Sequence, residues 1–494
     1  MASIASTSPL RVSQTVHSPA FFIYTGATIM GVAIIFWLAR LQALPEWPLP
    51  LWMVGALAAC IMAFELLGFW VSTPPYRFCD FLSAYYPAGQ AMVHNDHAAL
   101  RALTSQRVVT FVNIPVVAYL FAPFGIFGRH AAIALFTLTG VGFAVGSWFL
   151  LLRMLRLDLK ARWLLMLLFL ASGPLMNTIK LGNTSEMILL ALTAGLMLIR
   201  AGRSVAAGAV LGVAAVIKLP LILTGLFFMF RRDWWGVAGF SAVGIMTALL
   251  SLALFGWSDN LHWVQTCVVQ FNQKWLPTFN VQSVAAFVMR LDTNARLSDW
   301  VPQVPTPSQK LLAHLFTGLI FLVAALACVR LPTIMGAMNE TDASSRRDLQ
   351  YLLVICLCLV SSPLSWSHYY LWLLIPTAFL LEGRLPLFNS QTARRVGWVA
   401  IALVTPLVGW PWSIPNPLLM TVYRTIIMSH LFLGGLIWFG LIAYSLARTG
   451  GLLSSADGVR SGHSRPGDEA NAEADHDSAD NLQDVNGLPQ EHEA

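Results

Sequence analysis

The residues whose types could do chemistry first gather between Arg77 and Leu100, after an apolar run that ends near Val71. Asp80 lies early in this stretch, and a carboxylate can take a proton from a hydroxyl group. We interpret Asp80 as a catalytic base just outside a membrane, at the mouth of a cavity. The alternative is a solvated loop carboxylate with no role in chemistry. The neighbouring polar residues are Arg77, Tyr85, Tyr86, His94, Asp96 and His97.

Further polar motifs interrupt apolar sequence downstream. Lys218 lies in Val-Ile-Lys-Leu-Pro, and a lysine inside an apolar segment is costly, which makes it a functional hypothesis. The alternative for Lys218 is that its ammonium group reaches an interface. His368 follows Trp366 at the start of an apolar run, where a structural role is the alternative. The other members of this set are Asn183 with Lys180 and Glu186, then Asn280, Gln282 and Ser283, and finally Ser365 and Tyr369.

The elements that must position these residues are apolar runs close to 20 residues long. The chain has 494 residues, of which 57% are hydrophobic and 11% charged, whereas soluble domains carry about 25% charged residues. Backbone groups in a bilayer must be satisfied within the segment, so the runs are predicted to be helices. The candidate spans are 21–41, 51–71, 131–152, 162–179, 184–200, 205–217, 219–230, 235–256, 311–330, 349–364, 366–382, 396–411 and 426–447.

Two of these candidate spans, 205–217 and 219–230, are too short to cross a bilayer separately. Lys218 and Pro220 lie between them, and proline interrupts helical hydrogen bonding. We therefore predict two half-helices or a kinked hairpin around Lys218. The whole chain is predicted to be an all-α polytopic membrane protein of about 12–13 transmembrane helices.

The orientation of the helices is predicted from basic loops, because short cytoplasmic loops are enriched in lysine and arginine. The loops that remain, 72–130, 180–183, 257–310, 363–366 and 412–425, then face outward, and Asp80 with them. Two alternatives remain for the N-terminus: residues 1–20 lie outside if 21–41 and 51–71 both span, and inside if 21–41 lies along the membrane interface. The basic residues used are Arg153, Arg156, Lys160, Arg162, Arg200, Arg203, Arg231, Arg232, Arg346, Arg347, Arg394 and Arg395.

The chain is predicted to have three parts. Residues 1–20 form a polar N-terminal tail without a cleavable signal peptide, and residues 21–448 form the transmembrane domain. The long outward loops are expected to hold amphipathic helices that lie on the membrane. Residues 449–494 are rich in acidic and small residues, which is typical of a disordered tail.

Composition also excludes several classes of function. The net charge of +6 arises mainly from the basic loops, so we expect no nucleic-acid partner. The six cysteines form no Cys-x-x-Cys pair, which argues against a zinc site or a disulfide framework. Residues 21–448 contain no Asp-x-Asp signature and no phosphate-binding glycine loop, and Asp475-His476-Asp477 lies in the predicted disordered tail. We therefore expect no metal and no cofactor.

The order of these motifs resembles glycosyltransferase family 87, which has the type-C membrane glycosyltransferase fold. The resemblance covers roughly residues 20–450 and is carried by five motifs. One departure is Gly182-Asn183, where the family commonly has Gly-Gln. The motifs are Asp-Phe-x-x-x-Tyr-Tyr from Asp80, Gly-Asn-Thr from Gly182, Ala-x-x-x-Lys around Lys218, Asn-x-Gln-Ser from Asn280, and Ser-Pro-x-x-Trp-x-His-Tyr from Ser362.

The resemblance implies transfer of a hexose, with mannose favoured, from a polyprenyl-phosphate sugar. The acceptor would be a glycolipid, a polysaccharide or a protein on the outer face of the cell inner (cytoplasmic) membrane, among membrane lipids. By resemblance Asp80 is the base, and Lys218 and His368 contact the donor phosphate. One carboxylate without a paired partner fits an inverting displacement better than a glycosidase. The remaining substrate-binding candidates are Arg77, Tyr85, Asn183, Asn280, Gln282, Ser283 and Trp366.

Two other classes of function remain open. A transporter or flippase of a lipid-linked or small polar substrate would also need a buried lysine and a broken helix. Transporters commonly contain repeated halves, and the sequence shows no convincing internal repeat. The other alternative is a structural membrane subunit.

Overall fold

The computed structural model describes residues 77–105, 110–269, 273–292, 301–328, 340–383, 390–405 and 416–449, with isolated residues between 33 and 63 and residues 297 and 414. The predicted spans 21–41 and 51–71 fall largely outside the described residues. The predicted N-terminal tail and nearly all of the predicted C-terminal tail fall outside them as well. The chain divides into two units, Met1–Leu452 and Leu453–Ala494, and every described residue belongs to the first.

The described chain begins with short helices and continues into long ones. A π-helical turn, Phe81–Tyr85, leads into the first α-helix, and a 3₁₀ segment, Pro115–Phe121, follows the second. Pro115 and Pro123 lie in the first turns of their helices, where a missing N–H costs nothing. The α-helices of this half are α1 (Tyr86–Val93), α2 (His97–Ser105), α3 (Ala122–Gly125), α4 (Arg129–Met154), α5 (Leu159–Leu170), α6 (Gly173–Leu181), α7 (Ser185–Arg200) and α8 (Ser204–Ile217).

The second half alternates long helices with short irregular turns. A 3₁₀ segment, Leu219–Leu223, follows α8, and another, Ser367–Leu373, precedes α14; π-helical turns cover Val264–Val269 and Tyr423–Ile427. The α-helices are α9 (Thr224–Phe230), α10 (Trp234–Trp263), α11 (Val284–Arg290), α12 (Pro307–Cys328), α13 (Glu340–Ser361), α14 (Leu374–Glu382), α15 (Gln391–Val404), α16 (Pro417–Val422) and α17 (His430–Thr449).

Four described helices are long and apolar enough to cross a membrane: α4, α10 with its π-helical extension, α12 and α17. The pair α5 and α6 passes the same test together, although it is bent by 43°. These helices confirm the predicted all-α polytopic membrane class. Among the described residues, most of the other predicted spans correspond to shorter helices, while α13 is as long as α12 but carries several charged residues in its first turns. Four or five described helices therefore meet both criteria, against the 12–13 crossings predicted for the whole chain.

The helical conformation is interrupted at Lys218, as the sequence predicts. Helix α8 ends at Ile217, and Lys218 adopts an extended conformation before the 3₁₀ segment begins. Pro220 has no N–H that could donate to the Val216 carbonyl. The Leu221 N–H bonds the Lys218 carbonyl at 2.9 Å, and the Ile217 carbonyl accepts from the Asn113 side chain at 2.7 Å. Helix α8 packs closely along α10, since a side chain on Gly208 would collide with the Gly236 backbone.

Several arginines and one aspartate meet at one end of the helices, which is here called the basic end. It is defined by Arg156, Arg200, Arg231, Arg346 and Asp348. Arg200 pairs with Asp348 at 2.6 Å and also donates to the Met154 carbonyl. Arg231 donates to Gln350, and Arg346 to the carbonyls of Cys328 and Leu446. The ends of α4, α7, α9, α12, α13 and α17 therefore gather on one side, as the positive-inside pattern requires.

Candidate active site

The Asp80 segment is fixed against the turn between α6 and α7. The backbone N–H of Phe78 donates to the Lys180 carbonyl at 2.7 Å. Gly182 closes α6 in the left-handed conformation (φ +66°), and a Cβ there would lie 2.6 Å from the Phe81 Cβ. The close approach of Phe81 thus requires glycine, and it brings Asp80 beside Asn183.

Asp80, Asn183 and Lys218 form a continuous hydrogen-bonded chain. The Asn183 Nδ2 donates to the Asp80 carboxylate at 2.6 Å. The Lys218 ammonium donates to the Asn183 Oδ1 at 2.8 Å. Asn183 and Lys218 are each 6% exposed, while Asp80 is half-buried. The carboxylate of a half-buried aspartate is therefore linked through one buried amide to a buried cation.

Lys218 reaches this chain from the break between the two half-helices. Its ammonium group lies 4.7 Å from the centre of the Tyr369 ring. A ring face attracts a cation, most strongly where water is excluded. The ammonium can donate three hydrogen bonds, and Asn183 is the acceptor that the structure shows, so donor capacity remains for a ligand.

The carboxyl group of Asp80 is easier to protonate than an ordinary aspartate. Burial raises its pKa, because a low-dielectric environment disfavours the charged form. The Asn183 hydrogen bond, the Lys218 charge and the Cys79 thiol oppose that rise. A raised pKa makes the ionised carboxylate a stronger base, which suits proton abstraction.

An apolar cavity of about 570 Å³ adjoins the Lys218 end of this hydrogen-bonded chain. Its volume is within the range of ligand sites. Its lining comes mainly from α8, the 3₁₀ segment after Lys218, α10 and the turn that ends α13. Lys218 lies on this lining and also bonds Asn183. The other polar or aromatic residues of the lining include Tyr85, Asn113, Trp263, Trp366 and Tyr369.

His368 is held by a pairing of two loops. Val281 and Trp366 form an antiparallel bridge, and the Ser367 N–H donates to the Asn280 carbonyl at 2.7 Å. The His368 ring stacks parallel to Trp366 and is 3% exposed. Within the described part of the chain, neither ring nitrogen has a hydrogen-bond partner. A buried imidazole with two open positions can still donate to an anion.

The side chains of Gln282 and Ser283 bond to the protein itself. Gln282 donates to the carbonyls of Phe279 and Met428, and Ser283 caps α11 by accepting from the Ala286 N–H. The Asn280 Oδ1 is buried and has no partner among the described residues. These contacts leave Asn280 more available to a ligand than its two neighbours, and the substrate-binding role of all three stays a prediction.

The other polar residues that the sequence singled out have different surroundings in the structure. Tyr85 lines the cavity and stacks on Phe121 at 4.5 Å, and Arg77 lies three residues before Asp80 with part of its surface exposed. Glu186 is 2% exposed and accepts from Thr178 at 3.0 Å, which leaves it no open face. Described residues contain no group of three His, Cys, Asp or Glu side chains suited to a metal, and metal independence stays a prediction.

Two contributors to the site received no role from the sequence: Asn113, which was not in the candidate set, and Tyr369, which was in that set only as part of a motif. Asn113 bonds the last carbonyl of α8 and lines the cavity, and Tyr369 covers the Lys218 ammonium. A further buried cation, Arg290, donates to the carbonyls of Thr278 and Val281 and so shapes the Asn280 loop. The sequence offers one signal for Asn113, which is its position as a polar residue in the turn Asn113-Ile114-Pro115.

Comparison with known proteins gives a family match and distant relatives. The model of glycosyltransferase family 87 matches residues 111–363, a range that begins after Asp80 and ends before His368. No solved structure matches the chain. The chain is 27% identical over 265 residues to a polyprenol-phosphate-mannose-dependent alpha-(1-2)-phosphatidylinositol pentamannoside mannosyltransferase of Mycolicibacterium smegmatis, covering 51% of this chain and 55% of that relative.

Two other curated relatives have closely similar names. A polyprenol-phosphate-mannose-dependent alpha-(1-2)-phosphatidylinositol mannoside mannosyltransferase of M. smegmatis is 26% identical, with 41% of this chain and 43% of the relative aligned. A pentamannoside mannosyltransferase of Mycobacterium tuberculosis is 25% identical, with 58% of this chain and 59% of the relative aligned. The chain thus spans about half the length of these relatives. Because the family model matches half of the sequence and includes Asn183, Lys218 and the Asn280 loop, the chain belongs to glycosyltransferase family 87.

Proposed function

We propose that this protein transfers mannose from a polyprenyl-phosphate mannose donor to an acceptor hydroxyl group at the outer face of the cytoplasmic membrane. The observation that carries the proposal is the hydrogen-bonded chain of side chains from Asp80 through Asn183 to Lys218, which lies beside an apolar cavity. Family membership supplies the reaction class, and the names of the relatives favour mannose and a glycolipid acceptor. Polysaccharide and protein acceptors have the same reacting group.

The proposed reaction is a single displacement at the anomeric carbon of the donor. The acceptor oxygen forms the new bond to this carbon as the bond to the phosphate oxygen breaks. The electron pair of the broken bond leaves with polyprenyl phosphate, and the acceptor proton passes to the half-buried Asp80 carboxylate. One general base is sufficient for this balance, and the displacement inverts the anomeric configuration.

The leaving phosphate gains negative charge as the bond breaks, so a cation nearby lowers the barrier. Lys218 supplies a fixed charge with unused donor capacity. His368, with two unpartnered ring nitrogens, supplies a further donor. The apolar cavity that begins at Lys218 is of the right character for the isoprenoid chain attached to this phosphate.

The proposed orientation rests on the separation between the site and the basic end. Helix α7 runs from Ser185, beside the site, to Arg200 at the basic end, and α8 returns from Ser204 to Lys218. At 1.5 Å per residue these helices span roughly 20–25 Å. With the basic end in the cytoplasm, the site faces outward in an inner membrane.

The test reconstitutes the purified protein in proteoliposomes with radiolabelled polyprenyl-phosphate mannose and a phosphatidylinositol mannoside acceptor. We expect labelled acceptor that grows by one mannose, with the anomeric configuration opposite to that of the donor. Movement of intact labelled donor across the bilayer, without transfer to any glycolipid, polysaccharide or peptide acceptor, would contradict the proposal and support a flippase.

A further inference from the structure

We propose that Asn183 is a positioning residue that holds Asp80 as an ionised base and keeps it apart from Lys218. This inference rests on the proposed function, in which the carboxylate and the ammonium act on different parts of the substrates. The sequence predicts Asn183 as a substrate-binding residue. Its contacts in the folded protein instead point inward, to the two charged groups.

The orientation of the Asn183 amide is fixed by its neighbours. Its Oδ1 accepts three hydrogen bonds: from the Lys218 ammonium at 2.8 Å, from the Thr184 N–H at 2.8 Å and from the Ser185 hydroxyl at 3.2 Å. The ammonium and the backbone N–H can only donate, so an oxygen must occupy this position. The amide nitrogen therefore faces Asp80 and donates to its carboxylate at 2.6 Å.

The amide also separates two opposite charges that would otherwise neutralise each other. Asp80 and Lys218 are both described, and no ion pair of 4.0 Å or less joins them. A direct pair would weaken the carboxylate as a base and occupy the ammonium that the phosphate needs. Because Lys218 bonds the amide oxygen, it polarises the amide and strengthens the N–H that supports the Asp80 charge.

Asn183 has little surface left for a substrate. It is 6% exposed, both of its polar atoms are bonded, and the Gly182 turn fixes its backbone. A residue in this position acts on substrates through Asp80 and Lys218. The chemical consequence is that the Asn183 amide stabilises the ionised form of Asp80 and opposes the rise in its pKa that burial causes.

Several titratable groups face this chain, and the test must distinguish Asp80 from them. Cys79 donates to Asp80 at 3.6 Å, and Tyr85 and Tyr369 lie on the side of the cavity with Lys218. Glu186 is the second buried carboxyl group near Lys218, and the His368 imidazole also interacts with the Lys218 charge. Thiols, phenols and ammonium groups ordinarily titrate above pH 8. Carboxyl groups also have their own infrared absorption band, so an infrared titration follows Asp80 and Glu186 separately from the other groups.

The first measurement is an infrared titration of the carboxyl band in the full-length protein in lipid, without substrate. The spectrum of Asp80→Asn is subtracted to isolate Asp80. In Asn183→Leu, which keeps the volume of the amide but removes its N–H, we expect the Asp80 midpoint about one pH unit higher. In Asn183→Gln, which keeps an amide, we expect a midpoint between those of Asn183→Leu and wild type.

The second measurement is the pH profile of mannose transfer. A positioning role predicts that Asn183→Leu lowers kcat about tenfold, leaves the donor KM within about twofold, and moves the acid limb upward with the infrared midpoint. The matched control is Asn260→Leu, which removes a buried asparagine bonded to Ser251 and Gly256 in α10. We expect the control to lower thermal stability without moving either pH midpoint.

The two measurements separate this inference from the proposed function. An unchanged or lowered Asp80 midpoint in Asn183→Leu overturns the positioning role, whether or not mannose is transferred. A rise in donor KM with constant kcat overturns it as well and returns Asn183 to substrate binding. Absence of transfer by wild type, together with the expected infrared shift, contradicts the proposed function and leaves the link between Asn183 and Asp80 established.

Discussion

The two ends of this protein treat buried charge in different ways. At the basic end, Arg200 and Asp348 pair at 2.6 Å, and the remaining Arg200 nitrogens bond Met154 and Asp348 again. At the candidate site, the described contacts join Asp80 to Lys218 through the Asn183 side chain and include no direct ion pair between them. In the first arrangement the two charges satisfy each other, whereas the second leaves ammonium protons of Lys218 and both His368 ring nitrogens without a partner among the described residues.

This difference shows which charges serve structure and which are available for chemistry. A buried ion pair whose members satisfy each other stabilises one arrangement of helices and contributes little to reactivity. Open polar groups in a buried site cost stability unless a ligand satisfies them. The site end is therefore expected to lose activity on substitution, and the basic end is expected to lose stability.

Loss of the Lys218 charge is expected to have the largest effect after loss of the Asp80 carboxylate. In Lys218→Met, removal of the cation from the leaving phosphate should lower kcat by roughly 10²-fold. In Lys218→Arg, charge is kept but the geometry changes, so we expect a smaller loss. Steady-state transfer assays at saturating donor measure both. Equal losses in the two variants would contradict a charge effect.

His368→Phe is expected to separate activity from stability. The variant removes two ring nitrogens that have no partner among the described residues, so its free energy of unfolding should not fall. Transfer should fall about tenfold if the imidazole donates to the phosphate. Thermal denaturation and kcat are measured on the same preparation. A large drop in thermal midpoint with unchanged kcat per folded molecule would assign His368 to packing.

The pH dependence of transfer should report the environment of Asp80. Burial raises the pKa of Asp80, and the base must be ionised, so activity should fall as pH drops through a value above that of an exposed aspartate. Loss of the Lys218 charge removes a contribution that lowers this pKa, so the acid limb of Lys218→Met should lie at higher pH. A limb that moves downward in Lys218→Met would contradict the proximity of the two groups.

The smallest effect on activity is expected at the basic end. Asp348 is 6% exposed in its side chain and Arg200 is 23% exposed. Removing one partner in Arg200→Met should lower the free energy of unfolding by about 1–3 kcal/mol, because the buried Asp348 keeps only the longer contact of 3.7 Å to Arg347. The double variant Arg200→Met with Asp348→Leu should recover much of this loss. Denaturation in lipid or detergent measures the cycle, and an additive double variant would show that the two side chains do not interact.

Much of the helical architecture follows from the sequence alone. Apolar runs of about 20 residues predict α4, α12 and α17 within about four residues of their observed bounds. The run 235–256 predicts α10 only as far as Gly256, where the backbone leaves the helical conformation (φ +71°) before the helix continues to Trp263. Lys218 and Pro220 predict the break between α8 and α9, because proline cannot donate the next helical hydrogen bond. The number of crossings was less accessible, since hydropathy does not show whether an apolar run of 10–17 residues crosses the bilayer or ends inside the protein.

The residue types of the candidate site were also visible in the sequence, but their pairing was not. Asn183 and Lys218 are 35 residues apart, and Asp80 precedes Asn183 by 103, so no local spacing predicts that one amide joins them. The contact depends on the left-handed turn at Gly182 and on the approach of Phe81. Asn113 and Tyr369 join the site for the same reason, through packing between distant segments.

The most direct test of this account compares the same chemical change at the two ends of the protein. Single-turnover transfer of labelled mannose is measured for wild type, Asp80→Asn and Asp348→Asn at equal concentrations of folded protein. We predict that Asp80→Asn lowers the rate by roughly 10³-fold with little loss of stability, while Asp348→Asn lowers stability and keeps the rate per folded molecule. Transfer by Asp80→Asn at the wild-type rate would contradict the assignment of the base and, with it, the division between a reactive end and a structural end.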